Sequence, residues 1–440
     1  MNYEQATGYI QRLNRFGIKL GLERIERLLS LLGNPQSSFR SVLVAGTSGK
    51  GSTTVMLGSV LREAGYRTGV FVKPHLSDFR ERISVGGKMI SEMDFVRLVE
   101  KIKPYAEKVA KETESPTFFE FVTAMAFEYF REKKVEFAAI EVGLGGRLDA
   151  TNVVKPEISI ITNVSLEHTD ILGDTVEKIA MEKAGIIKEN GVLVTGSENP
   201  KAFTVLEKIC RERDAKFIRT PELKNAKSSE NGNSFDFEGA KIFVPLAGRF
   251  QLKNISCALT ALRSLKEKIP AGAVKRGLEK ARWPGRFELV SERPKVLLDG
   301  AKDAEAMRSL AASLDLIKYK KLYTVFGASK NKMIPEMLRE IAGKTDFFVL
   351  TRHNVMDRGA EPDELAKEVK KYSKGFLIER NVKSAVKKAM ELAGKNDLIL
   401  VTGSLFTVAE ARELWFSKKA KMGREFNENV KVTTEAKKQF

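Results

Sequence analysis

The sequence predicts an α/β protein with two doubly wound domains, a larger one that contains a phosphate-binding loop and a smaller, Rossmann-like one after it. Strands rich in β-branched residues alternate with amphipathic helices along the 440 residues, as in parallel sheets covered by helices on both faces. A glycine-rich loop at residues 46–51 joins the first strand to a helix. The alternation restarts after Trp283-Pro284-Gly285, so we expect the domain boundary there.

The hydrophobic pattern of residues 1–284 predicts the elements of the first domain in turn. Two amphipathic helices, at 3–14 and 21–32, precede a strand that begins at Ser41. Further strands are expected at 68–72, 136–140, 158–162, 191–195 and 215–219, and a hairpin at 235–245. Helices are expected at 55–61, 92–112, 116–132, 175–187, 200–212, 250–267 and 271–281. The polar, glycine-bearing segments 73–90 and 224–234 are expected to be loops.

Residues 285–416 repeat the same alternation on a smaller scale. Strands are expected near 287–291, 295–299, 321–326, 346–350, 375–378 and 397–402, with helices between them. The remaining segment, 417–440, is polar and rich in lysine, which favours a loosely held basic tail.

Composition narrows the class of protein. The net charge of +18 fits either a nucleic-acid binder or a solvated surface that attracts a polyanionic small substrate. We favour the second, with no nucleic-acid partner, because basic residues alternate with acidic ones, as in Glu23-Arg24-Ile25-Glu26-Arg27. No apolar run approaches the ~18 residues of a membrane span, and we expect a cytoplasmic protein. Cys210 and Cys257 are expected to be buried thiols.

The glycine-rich loop is the first candidate site. Gly46, Gly49 and Gly51 would let the backbone approach an anion closely, and the helix N-terminus offers free N–H groups. Lys50 can reach the terminal phosphates of a nucleotide, and the hydroxyl of Ser52 can bind Mg²⁺. An ordinary glycine-rich turn is the alternative. The pattern favours phosphate binding, with Thr47 as part of the same loop.

Other candidates follow the ends of predicted strands. Glu141 ends a buried strand, at the edge where parallel sheets bind ligands, which favours a metal ligand. His168 follows another strand near the same edge and is likewise interpreted as a metal ligand. His75 is left open between a structural and a functional role. His353 is expected at the surface, and composition alone also places Lys183 there.

Taken together, these motifs resemble the dihydrofolate synthase/folylpolyglutamate synthase family of Mur-type ATP-dependent amide ligases. The block from Glu141 to Asn152 is the most specific of them. The other segments that carry the resemblance are 44–52, 74–76 with 79–83, 161–163 with 167–168, 182–186, 284–286 and 401–405. The family places a glycine between the loop lysine and the hydroxyl residue, as Gly51 stands here.

The resemblance implies a reaction. ATP would pass its γ-phosphate to a pterin or folate carboxylate, and the amino group of L-glutamate would attack the acyl phosphate. The expected cofactors are ATP and Mg²⁺ at two sites, and the expected state is a monomer.

The resemblance also implies residue roles. Lys50 would contact the β- and γ-phosphates, Ser52 and Glu141 would bind one Mg²⁺, and His168 would hold the second ion. Lys183 would be carbamylated by CO₂, which revises its surface assignment and makes it catalytic together with Lys50 and His168. The remaining implied contacts are Asn254 near adenine, Arg286 and Asp299 at the nucleotide, Pro74, His75 and Asp149 at the pterin, and Ser404 at glutamate.

Three positions depart from the family pattern. Lys73 stands where the family has Ser before Pro-His-Leu, Lys302 replaces the histidine of Asp-Gly-Ala-His-Asn, and Asn331 replaces the aspartate before Lys332. Lys302 could pair with an anion of the bound nucleotide. These departures keep two alternatives open: a Mur-type ligase with another carboxylate acceptor, and a nucleotide-binding protein without ligase activity.

Overall fold

The computed structural model describes residues 1–13, 17, 19–355 and 358–416. Two helices, α1 (Tyr3–Arg12) and α2 (Glu23–Leu31), precede the first strand, as predicted. Helix α1 begins at a capping box in which Asn2 and Gln5 satisfy each other's backbone N–H groups. The predicted basic tail, 417–440, lies outside the described residues.

The first sheet has eight strands in the order β4-β3-β2-β5-β1-β6-β7-β8. They are β1 (Arg40–Ala45), β2 (Thr68–Phe71), β3 (Ile83–Val85), β4 (Lys88–Met89), β5 (Phe137–Glu141), β6 (Ile158–Ile161), β7 (Val192–Thr195) and β8 (Lys216–Arg219). The last six strands of this order, β2-β5-β1-β6-β7-β8, are parallel, and β1 lies between β5 and β6. The carboxyl ends of these central strands therefore meet at one edge.

Helices cover both faces of this sheet, so the doubly wound prediction is confirmed. They are α3 (Lys50–Glu63), α4 (Glu92–Glu112), α5 (Phe118–Glu132), α6 (Thr169–Leu172), α7 (Val176–Ala184), α8 (Pro200–Glu212), α9 (Gln251–Ser264) and α10 (Ala271–Lys280). One core contains residues of α1, α2, α4, α5, α7 and α8, and the other contains residues of α3, α9 and α10.

Two segments that we predicted as loops contain strands. The segment 224–234 forms β9 (Lys224–Ser229) and the start of β10 (Gly232–Phe237), which pair in an antiparallel sheet with β11 (Ala240–Val244). Strand β9 is polar and almost wholly exposed, so no hydrophobic alternation marks it. The segment 73–90 holds the short hairpin β3–β4, which turns at Gly86 and Gly87.

The second sheet has six strands in the order β12-β13-β17-β14-β15-β16. They are β12 (Glu288–Glu292), β13 (Lys295–Leu298), β14 (Leu322–Phe326), β15 (Phe347–Arg352), β16 (Gly375–Asn381) and β17 (Leu398–Thr402). The helices are α11 (Ala304–Ser313), α12 (Ile334–Ala342), α13 (Pro362–Lys370), α14 (Val382–Leu392) and α15 (Leu405–Arg412). A core lies on each face of the sheet. The division at residues 284 and 285 stays a prediction.

Smaller expectations can also be compared with the structure. Cys210 and Cys257 are buried and free, as predicted. His353 is fully buried at the end of β15, so its predicted surface position was wrong. Its ring packs against Phe406 at a centroid distance of 5.3 Å, and burial lowers the pKa of His353 to about 4. Among the described residues, no helix combines the length and the apolar character needed to cross a membrane.

Candidate active site

The phosphate loop connects the end of β1 to the start of α3. Gly46 and Gly49 have φ values of +146° and +81°, in the region that favours glycine. Among the described residues, no side chain accepts a hydrogen bond from the first N–H groups of α3. These groups also lack partners within the helix, so the helix offers its N–H groups and positive dipole end to an anion.

The loop is held in place by the segment that follows β6. Asn163 Oδ1 accepts hydrogen bonds from the backbone N–H groups of Thr47, at 3.1 Å, and Ser48, at 2.8 Å. Thr162 Oγ1 donates to the carbonyl of Ser48 at 2.6 Å. Thr47 Oγ1 donates to the carbonyl of Ser165 at 3.2 Å. These four hydrogen bonds attach the loop to the segment that follows β6.

Lys50 folds back over its own loop. Its Nζ donates to the carbonyls of Gly46, at 2.7 Å, and Thr47, at 3.0 Å. Burial lowers the pKa of Lys50, while the carboxylates of Glu167 and Glu141 favour its charged form. These carbonyl contacts keep the ammonium hydrogen-bonded at the loop, where a phosphate group would bind.

Helix α9 and the linker, which is the segment 281–287 between α10 and β12, enclose the start of α3. Gln251 Nε2 donates to Ser52 Oγ at 3.2 Å, and Asn254 Nδ2 donates to Gln251 Oε1 at 2.8 Å. Trp283 lies so close to Gly51 that a Cβ there would stand 2.6 Å from its ring. The predicted nucleotide residues Ser52 and Asn254 are thus joined through Gln251, and Gly51 packs against Trp283.

Glu141 ends β5 beside the phosphate loop. It is opposite Val44 in the register of β1 and is 4% exposed. Burial raises the pKa of Glu141, and the nearby ammonium groups of Lys50 and Lys73 oppose that shift. The backbone N–H of Lys73 donates to Glu141 Oε2 at 3.0 Å, and Lys73 Nζ donates to the carbonyl of Gly143. Burial and then Lys50 lower the pKa of Lys73 to about 8.

Lys183 lies at the end of α7 and is 3% exposed, so the surface assignment from composition was wrong. Its ammonium makes no hydrogen bond to any residue that the structure describes. Burial, followed by the repulsion of Lys50, lowers the pKa of Lys183 to about 7. Glu167, Lys73 and Lys302 also act on this pKa, so Lys183 lies near the charged groups around Lys50. A substantial fraction of its amine is therefore neutral near pH 7.

His168 stands in the left-handed region, with φ +52°, just before α6. Its Nε2 lies 3.4 Å from Glu167 Oε1. The hydrogen bond with Glu167 favours the charged imidazole, but burial and the neighbouring lysines outweigh it and lower the pKa of His168.

The carboxylate of Glu167 connects the two domains. Lys302 Nζ, from the segment between β13 and α11, donates to its Oε1 at 2.6 Å, and Lys332 Nζ donates to the same atom at 3.3 Å. Burial disfavours the charged form of Glu167, but the neighbouring lysines outweigh burial and hold the pKa of Glu167 well below its usual range.

The linker and the end of β13 supply two further predicted residues. Arg286 Nη1 donates to the carbonyl of Gly285 at 3.0 Å. Burial lowers the pKa of Arg286, and the carboxylates of Asp299 and Glu141 oppose that shift. Asp299 accepts hydrogen bonds from the N–H groups of Phe287, at 2.9 Å, and Ala301, at 2.8 Å. Asp299 therefore fixes the linker to the second sheet.

The predicted acceptor and glutamate residues are bound within their own loops. His75, next to Pro74, accepts from Arg82 Nε at 2.9 Å, and burial and Arg82 lower its pKa to about 3. Asp149 accepts from the N–H groups of Leu144 and Thr151. Ser404 caps α15. These four residues are not joined by hydrogen bonds to the group around Lys50.

Sequence reasoning missed several residues that support the site. Asn163, Gln251 and Lys332 were not assigned roles, and Glu167 was quoted only as the neighbour of His168. Asn163 follows a predicted strand directly, which is the signal that could have identified it. The contacts of Gln251 and Glu167 join segments far apart in the chain, so no local pattern indicates them.

The side chains beside the phosphate loop supply some, but not all, of the oxygen ligands that a divalent cation needs. Among the described residues, no group of three or more His, Cys, Asp and Glu side chains could hold a metal ion. The hydroxyl of Ser52 and the carboxylate of Glu141 are hard oxygen donors at the nucleotide loop, and phosphate oxygens commonly complete such sites. His168 could join an oxygen donor, but Lys183 supplies one only as a carbamate.

Two family models match the chain: the Mur ligase middle domain over residues 44–262 and the Mur ligase glutamate ligase domain over residues 285–405. The chain is 36% identical over 431 residues to the dihydrofolate synthase/folylpolyglutamate synthase of Bacillus subtilis, with 93% of this chain and 98% of that protein covered.

A relative and a solved structure extend the comparison. The chain is 38% identical to a probable bifunctional folylpolyglutamate synthase/dihydropteroate synthase of Haloferax volcanii over 94% of its own length, and it spans about half of that relative, 51%. A Yersinia pestis folylpolyglutamate synthase/dihydrofolate synthase complexed with AMPPNP and Mn is 30% identical, with a TM-score of 0.83. That match covers 94% of this chain and 98% of the other.

Proposed function

The chain belongs to the dihydrofolate synthase/folylpolyglutamate synthase family of Mur-type ligases, and from this membership we infer that it joins L-glutamate to a pterin or folate carboxylate. It is an ATP-dependent ligase whose cofactors are the nucleotide and a divalent metal ion. The structural observation that supports this inference is the set of charged groups at one phosphate loop. Lys50 donates to the loop carbonyls, Glu141 lies opposite Val44 of β1, and Lys302 donates to Glu167 beside the loop.

The first step proposed is phosphoryl transfer to the acceptor acid. The bond between the γ-phosphorus and the ADP oxygen breaks, and a bond to a carboxylate oxygen forms. A carboxylate is a poor electrophile because its charge repels an amine and oxide is a poor leaving group. The resulting acyl phosphate has neither defect. The amine of glutamate then attacks the acyl carbon, phosphate leaves, and the amine loses a proton.

The proposed roles follow the positions of the side chains. Lys50 would bind the terminal phosphates, which the N-terminus of α3 would also attract. Ser52 and Glu141 would hold one Mg²⁺, and His168 a second, with Lys183 contributing oxygen once carbamylated. A divalent cation held there would offset the negative charge of the phosphates and the carboxylate. Asn254, Arg286 and Asp299 would position the nucleotide.

Closure of the two domains over the reactants is part of the proposal. Lys50 begins α3 in the first domain and Asp299 follows β13 in the second, so a nucleotide bound by both would bridge them. A closed cleft would keep water from the acyl phosphate. We further propose that the chain acts as a monomer in the cytoplasm.

A second candidate is the same chemistry on a different organic acid. It is supported by Lys73, whose ammonium lies against the carbonyl of Gly143 in the loop that also holds Asp149. A fixed cation there would favour an acceptor with additional negative charge.

ADP release with a panel of acids, ATP, Mg²⁺ and glutamate tests the proposal. Release that depends on both glutamate and dihydropteroate or a folate is expected. Exclusive use of a non-pterin acid would favour the second candidate. Oxygen-18 in the acceptor carboxylate should appear in the released phosphate, and retention of the label in the amide product alone would contradict the acyl phosphate.

A further inference from the structure

The carboxylate of Glu167 is shared by two lysines that come from the other domain. Lys302 Nζ lies 2.6 Å and Lys332 Nζ 3.3 Å from its Oε1. The side chain of Glu167 is 8% exposed, while that of Lys302 is 40% exposed. Protein atoms therefore cover the Glu167 carboxylate, whereas part of the Lys302 side chain is accessible to solvent.

This ion cluster lies directly on the phosphate loop. The segment that carries Glu167 is bonded to the loop through Asn163 and Ser165, which contact the backbone and side chain of Thr47. Glu167 is also the strongest charged influence on Lys50. The carboxylate therefore stands among three ammonium groups, those of Lys50, Lys302 and Lys332.

One carboxylate does not match the binding capacity of these groups. Each ammonium group has three N–H donors, more than the single oxygen Oε1 of Glu167 can accept, although Glu141 and Asp303 also favour the charged form of Lys50. In addition, Ser165 Oγ is buried and has no hydrogen-bond partner among the described residues. Asp303, which caps α11 through Ala306, is a further acidic neighbour of Lys302. A terminal phosphate offers more charge and more acceptor oxygens than one carboxylate, so it can compete for Lys302.

We propose that Lys302 contacts the terminal phosphoryl group of the nucleotide from across the cleft, and that Glu167 holds this ammonium until the nucleotide binds. The inference rests on the proposed nucleotide site. During transfer, the phosphorus leaves the ADP oxygen for the carboxylate oxygen without any proton transfer. An ammonium that arrives from the second domain stays beside the phosphoryl group as it moves away from the loop.

Titration calorimetry with AMPPNP and with ADP tests this proposal, because the two differ in the terminal phosphoryl group. In Lys302→Met we expect AMPPNP affinity to fall by about 10- to 100-fold, with ADP affinity nearly unchanged. In Glu167→Gln we expect AMPPNP affinity to rise, because the competing anion is gone. Lys371→Met is the matched control, since its ammonium pairs with Glu368 on the surface of the same domain.

The two variants distinguish a contact of Lys302 with phosphate from a purely structural ion pair between Lys302 and Glu167. If Lys302→Met weakens AMPPNP and ADP equally, or if Glu167→Gln weakens AMPPNP as Lys302→Met does, the proposal is overturned. Repeating the titrations in chelator removes any effect that passes through a metal ion near His168. Neither titration requires turnover. If Lys302→Met weakens AMPPNP but not ADP and the parent protein does not ligate glutamate, the proposed function fails while the role of Lys302 stands.

Discussion

Asn254 Oδ1 lies 2.1 Å from the point that a Cβ on Gly49 would occupy. Helix α9 and the phosphate loop therefore meet without room for one carbon atom. Gly49 also has a φ of +81°, which disfavours any other residue at that position. The side chain that borders the loop thus also dictates which residue the loop can contain.

Gly49→Ala should distort this contact. We expect nucleotide affinity to fall at least about tenfold, because strain at a positive φ costs about 1–3 kcal/mol and the Asn254 side chain must also move. Calorimetry with AMPPNP measures the loss. Gly343→Ala is the control, since its Cβ would meet nothing within 4 Å. Unchanged affinity in Gly49→Ala would mean that this loop does not hold the nucleotide.

Lys50→Ala should abolish useful turnover. We expect the rate to fall by at least about 10²- to 10³-fold, as for the loss of one preorganised donor at a developing charge. Steady-state ADP release measures the effect. Lys280→Ala is the control, because that lysine pairs with Glu63 at the opposite end of α3, at 2.9 Å. An undiminished rate would remove Lys50 from the mechanism.

The elements that could be predicted are those whose own residues carry the signal. Strand β1 and helix α3 follow from a β-branched run, three glycines and a helical apolar pattern, although α3 begins at Lys50, ahead of the predicted helix at 55–61. The loop residues follow from the same stretch. Strand β9 could not be predicted, because its side chains are polar and its stability comes from hydrogen bonds to β10.

The parts of the site that could not be predicted depend on the tertiary structure. A lysine on a helix is usually solvated, and it is the tertiary packing of α7 that buries Lys183. His353 was misplaced for the same reason, since its burial depends on Phe406 from α15. The contact of Glu167 with Lys302 joins two domains, so neither local sequence indicates it.

Asp299→Asn should destabilise the linker as well as the nucleotide site. Both carboxylate oxygens accept backbone N–H groups, so an amide nitrogen would face a donor at Phe287 or Ala301. We expect a loss of about 1–3 kcal/mol in the free energy of unfolding. Denaturation in urea and AMPPNP titration of the same sample separate the two effects. Weakened nucleotide binding at unchanged stability would indicate direct contact with the nucleotide instead.

Lys183 should act as a carbamate. We expect Lys183→Ala to lower turnover by at least about 10²-fold, and removal of bicarbonate and CO₂ to have the same effect on the parent. Native mass spectrometry of the parent should show an added mass equal to one CO₂, absent from the variant. Lys178→Ala is the control on the same helix, because Lys178 is exposed and pairs with Asp174. A full rate without CO₂ would exclude the carbamate.

Burial lowers the pKa of Lys183 to about 7, and this predicts the direction of two pH dependences that can be measured without turnover. CO₂ adds to the neutral amine, so carbamylation should increase as the pH rises through about 7. In CO₂-free buffer the unfolded chain binds the extra proton between the folded pKa and the ordinary lysine value. The free energy of unfolding of the parent should therefore rise with pH across that window, relative to Lys183→Ala. Parallel stability curves for the two proteins would show that Lys183 keeps its ordinary pKa and is not poised to react.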